Sequence, residues 1–91
     1  MPKYLEVDEL GSPAAQLFGE RLKQRRRARD MTQAQLAEQT DITAAYISLI
    51  ERGRANPTLE MMVKLAETVG AEAWDMIRPV PDDTANSIQT S

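Results

Sequence analysis

Between Pro13 and Ile77 the apolar residues recur at three- and four-residue intervals in short blocks, and no stretch alternates as a strand would. Ser12-Pro13, a cap residue before a proline at the first helical position, starts a helix that the pattern carries to about Arg29. Phe18 and Leu22 mark its buried stripe, and Arg26, four residues on, interrupts that stripe with a charge. Thr32-Gln33-Ala34-Gln35 has the Thr-x-x-Gln spacing of a capping box and opens a second helix to about Gln39 or Thr40. After a break at Thr40-Asp41-Ile42, Thr43 caps a third helix to about Glu51 that buries Ile47 and Ile50. Gly53 and Pro57 bracket the next loop. A fourth helix follows Thr58, with Leu59, Met62, Leu65, Ala66 and Val69 on its core face and Gly70 as its stop. A short fifth helix over about 73–77 offers Trp74 and Ile77.

The pattern predicts an all-α, compact five-helix domain over residues 13–77. Residues 1–12 place Tyr4, Leu5, Val7 and Leu10 among acids, which leaves strand, docking arm and disorder open. Residues 78–91 hold two prolines and mostly small polar side chains, as in a flexible tail.

Composition narrows the chemistry. The chain has 91 residues with no Cys and no His, which removes disulfides, thiolate–imidazole metal sites and nucleophile–His catalysis. No acidic cluster has a calcium-loop spacing. An enzyme is not expected, nor a metal or cofactor. No apolar run is long enough for a membrane span and the acidic start is unlike a secretion signal, so a cytoplasmic protein is expected. The net charge of -3 argues mildly against nucleic acid. Its distribution argues the other way: Arg21, Lys23, Arg25, Arg26, Arg27 and Arg29 face only Glu20 within residues 13–29. Salt screens charges over about 8–10 Å, so distant acids do not cancel such a surface.

The second and third helices, with the break between them, form a helix-turn-helix at about 32–53. Three groups of residues give it an identity: Thr32-Gln33-Ala34-x-Leu36-Ala37, Tyr46-Ile47-Ser48-x-Ile50-Glu51-x-Gly53 and Asn56-Pro57-x-Leu59. Together they closely resemble the Cro and lambda-repressor-like family, also called the xenobiotic-response-element type. The resemblance covers residues 18 to about 77. It implies a domain that binds double-stranded operator DNA, commonly as a two-fold dimer, with the third helix in the major groove. By position, Gln33 matches a glutamine that contacts phosphate or a base in relatives. Thr43, Ala44, Ala45 and Ser48 match base-facing positions, with Tyr46 beside them. Arg52, Arg54 and Asn56 match the loop along the DNA backbone. Arg26 and Glu51 match an ion pair across the core. Two helix starts, at Thr32 and Thr43, also present free amides suited to phosphate. Alanines at 44 and 45 can read only thymine methyl groups, so specificity would fall on Gln33, Thr43, Ser48 and Tyr46, or on DNA shape. Where the family usually has glycine, this chain has Asp30 and Asp41, at sites that in relatives typically need a left-handed backbone, which Asp tolerates better than most residues.

Each reading has a plainer counterpart. The basic run can be a solvated helix face, Gln33 simply part of a helix start, and Tyr46 packing. Ile47, Ile50, Leu59 and Leu65 are core. Met61, Met62, Trp74 and Met76 are core or rim, or a self-association surface if exposed. The expected function is a sequence-specific transcriptional regulator binding an inverted repeat as a homodimer, like a phage repressor or restriction–modification controller. The alternatives are an antitoxin or other protein-interaction module, using the arm or tail for a protein partner, and a helix-turn-helix kept only as scaffold.

Overall fold

The computed structural model describes residues 10–79. Most of the expected arm, residues 1–9, and of the expected tail, 80–91, lies outside them. Five helices follow in order: α1 Pro13–Ala28, α2 Gln33–Thr40, α3 Ala44–Glu51, α4 Leu59–Thr68 and α5 Ala73–Ile77. No strand occurs among the described residues. Four of the five starts are fixed by a side-chain cap: Ser12 accepts from Ala15 N, Thr32 from Gln35 N, Thr43 from Tyr46 N and Thr58 from Met61 N. At α2 the box is complete, because Gln35 Oε1 also accepts from Thr32 N at 2.8 Å.

α1 packs across α3 and α5, and α2 across α3 and α4, around a core of Phe18, Leu22, Leu36, Ile47, Ile50, Leu65 and Met76. α1 and α3 approach so closely that a Cβ on Gly19 would fall onto the carbonyl oxygen of Ile50. A glycine inside a helix costs stability, and this contact is what it permits. The turns also follow from local chemistry. Asp30 and Asp41 have φ of 55° and 61°, in the left-handed region. Asp41 closes α2 with its amide on Ala37 O.

The turn of the motif does more than break a helix. Ile42 is a core residue, and Thr40 is fully buried. The Thr40 hydroxyl donates to Leu36 O at 2.8 Å and accepts from Ile42 N at 3.3 Å, which ties the end of α2 to the turn. A buried hydroxyl without such partners would be destabilising.

One core assignment from the sequence is corrected, at Leu59, and one left open is decided, at Trp74. Leu59 fits the stripe of α4 but is 65% exposed. It lies at the edge of that stripe, in line with the exposed Val63, whereas Met62, Leu65, Ala66 and Val69 pack on the core. Trp74 is 60% exposed, and the buried residue of α5 is Met76. Ala73 and Ile77 are half-buried and pack on the core beside it.

Candidate nucleic-acid interface

The helix-turn-helix projects two helix starts. At α2 the capping box occupies the amides of Thr32 and Gln35. Gln33 and Ala34, within the first turn, have no intrahelical acceptor for their own amides. At α3 Thr43 accepts from Tyr46 N at 3.1 Å. With about 3.6 residues per turn, Ala44, Ser48 and Arg52 align along one side of α3, with Ala45 and Leu49 beside them. Ile47 and Ile50 point the other way into the core. Ala45 and Arg52 are exposed, while Ala44, Ser48 and Leu49 are half-buried. The outward surface is therefore small and mostly apolar, so it could approach a groove closely.

Tyr46 falls on the other flank. It packs against the core and lines an open cleft of about 680 Å³ with Thr43, Thr58, Met61 and Lys64. Leu49 is the residue that sequence reasoning passed over. It is partly exposed, stands apart from the side chains packed on the core, and lies one turn beyond Ala45. The available signal was its spacing, i+4 from a residue already placed outward.

Beneath this surface a charged cluster joins three elements. Arg26 of α1 donates from Nε to Glu51 Oε2 at 2.7 Å and from Nη2 to Oε1 at 3.0 Å. Its Nη1 donates to the Met31 carbonyl at 2.7 Å, in the loop before α2. Gln33 Nε2 donates to Glu51 Oε1 at 3.0 Å. The two charged side chains are 9% and 1% exposed. Hydrogen bonding to Glu51 holds the Arg26 guanidinium above its ordinary pKa, outweighing the desolvation that acts to lower it. Burial without a partner would be costly for both groups, and the fork-shaped pairing answers it.

The basic run of α1 divides by its partners. Arg21 Nη1 donates to Asp75 O at 2.8 Å, and Arg29 Nη1 donates to Val69 O at 3.2 Å. Arg29 thus caps the end of α4, where carbonyls lack intrahelical donors. With Arg26 also engaged, three of the run's charges serve the fold. Lys23 shares a shallow groove with Gln16, Glu20, Glu51 and Arg52, which brings one cation of α1 to the end of α3. Arg25 and Arg27 are exposed.

In the following loop Arg52 and Arg54 are exposed, and Arg52 Nε donates to Ser48 O at 3.3 Å. Asn56 acts within the fold, where its Oδ1 accepts from Ser12 N at 2.7 Å and fastens the start of α1 to the loop. Among the described residues no helix is long and apolar enough to cross a membrane.

The helix-turn-helix family model matches residues 22–72. Over 72 residues the chain is 36% identical to the HTH-type transcriptional regulator DdrOP3 of Deinococcus deserti, covering 76% of this chain and 56% of that protein. The chain thus spans about half the length of that relative. It is 36% identical over 62 residues to the control protein C.BamHI of Bacillus amyloliquefaciens, covering 67% of this chain and 76% of the relative. The crystal structure of the restriction-modification controller protein C.AhdI from Aeromonas hydrophila is similar, with a TM-score of 0.64 and 31% identity. That match covers 68% of this chain and 94% of C.AhdI.

Proposed function

This chain belongs to the Cro/lambda-repressor-like helix-turn-helix family of transcriptional regulators, and from that premise we propose that it binds an inverted-repeat DNA operator as a homodimer. The observation that carries the reading is the outward surface of α3, small enough to lie against base pairs, between the start of α2 and the basic loop at Arg52 and Arg54. In this reading the start of α2, Lys23, Arg52 and Arg54 hold phosphates. Ala44, Ala45, Ser48 and Leu49 meet base edges, with the apolar members against thymine methyl groups. Thr43 stands at the groove entrance. Tyr46 contributes from the flank, and Asn56 orders the loop.

A dimer is supported by apolar side chains away from that surface. Leu59 and Val63 on α4 and Trp74 on α5 are exposed, and the same two helices contribute Met62 and Ile77 to an apolar cleft with Ala14, Ala15 and Pro57. A small monomer rarely leaves such residues in water without a use. Two-fold pairing would set the α3 helices about one DNA turn, roughly 34 Å, apart.

Selection of bound sites from random duplex DNA tests the whole reading, because half-site, spacing and symmetry emerge together. A palindromic consensus is the expected result. If a dimer neutralises about six phosphates, raising salt from 50 to 200 mM should weaken binding about 10³-fold. No enrichment at low salt, or binding indifferent to salt, refutes it.

A further inference from the structure

We propose that Glu51 is a positioning residue for DNA recognition: besides pairing with Arg26, it sets the direction of the Gln33 amide before DNA arrives. The proposal rests on the DNA-binding reading above.

A carboxylate only accepts hydrogen bonds, so the Gln33 atom that faces Glu51 Oε1 at 3.0 Å must be Nε2. That choice fixes the rest of the amide. One Nε2 hydrogen points inward, and the second hydrogen and the carbonyl oxygen remain for a partner. Glu51 is itself immobilised, since Arg26 grips both of its oxygens and is held in turn by the Met31 carbonyl. The anchor therefore joins α1, the loop before α2, and α3 to the first residue of α2. A long side chain that would otherwise lose rotamer freedom on binding is already ordered, which is how preorganisation strengthens association. Gln33 is half-buried, so its free edge stays within reach of a ligand at the start of α2.

The test is a double-mutant cycle on the full chain, with a duplex that the wild type selects from random DNA. Affinity is measured by fluorescence anisotropy at 10 °C, and far-UV circular dichroism establishes that each variant is folded. Gln33→Ala should weaken binding about tenfold, within the range for loss of one DNA contact. Glu51→Gln keeps the shape but loses an acceptor and the charge, and should weaken binding about fivefold. In the Gln33→Ala background it should add less than about twofold, because its route to DNA is gone. Independent losses, multiplying to about fiftyfold, would overturn the proposal, since a purely structural Glu51 would act without regard to residue 33.

Should Glu51→Gln fail to fold, the wild-type side-chain amide resonances of Gln33 decide. One Nε2 proton should exchange slowly in the free protein while the other shifts on adding DNA. Two rapidly exchanging protons would overturn the proposal. If the wild type selects no duplex at all, the DNA-binding reading fails, and this inference with it. That outcome is distinct from a wild type that binds while its variants combine independently.

Discussion

Replacing Glu51 by alanine is the most searching perturbation of this fold. The carboxylate is 1% exposed and accepts from Arg26 Nε, Arg26 Nη2 and Gln33 Nε2. Without it, the Arg26 guanidinium stays in a site where it is 9% exposed and keeps the Met31 carbonyl as partner. Deprotonation offers no escape, because the ordinary arginine pKa lies far above neutral pH. Removing one member of a buried pair costs about 3–5 kcal/mol. A domain of this length has roughly 3–10 kcal/mol in total, at about 0.05–0.15 kcal/mol per residue. Glu51→Ala should therefore stand close to the folding threshold. Urea unfolding followed by circular dichroism reads the loss. With a slope near 1 kcal/mol/M for so small a domain, the midpoint should fall by about 3 M or be lost altogether. A companion variant, Arg26→Met with Glu51→Leu, removes both charges at similar volume and should recover most of the stability. A Glu51→Ala midpoint within about 0.5 M of wild type would refute the argument. A double variant as unstable as the single one would locate the loss in shape rather than charge.

Other consequences are open to the same measurements. Gly19→Ala should destabilise the domain by well over 1 kcal/mol despite alanine's better helix propensity, since its methyl group meets the Ile50 carbonyl; a higher melting temperature would contradict the close approach. Asp41→Gly should stabilise by up to about 1 kcal/mol, because φ is 61° there, and a lower melting temperature would count against it. Thr32→Ala removes the reciprocal cap of α2 and should cost about 1 kcal/mol in urea unfolding. If the loop grips phosphate, Arg54→Ala should weaken all duplexes alike and reduce the salt slope by about one, whereas Leu49→Ala should change the selected half-site.

Much of this protein was legible in local sequence. Helix starts are read from a hydroxyl that can reach a nearby amide, and Ser12, Thr32, Thr43 and Thr58 each do so. The left-handed turns at Asp30 and Asp41 were implied by the resemblance, since relatives usually have glycine there, and both residues have positive φ. The core stripe of α1, with Arg26 on it, follows from helical period alone.

What local sequence could not decide depended on which neighbour covers which residue. Leu59 and Leu65 both fit a broad apolar stripe, yet they stand about 120° apart around α4, and the packed neighbours cover the side with Met62, Leu65, Ala66 and Val69 while Leu59 and Val63 face outward. Arg21 and Arg29 look alike in the chain, but the first ends on the Asp75 carbonyl of α5 and the second on the Val69 carbonyl that closes α4. Gln33 looks equally suited to a helix start or a contact until Glu51, 18 residues away, sets the direction of its amide. Capping and helical period act over a few residues and are written in the chain. Burial and charge pairing act across the space between helices, and only the packed fold defines that space.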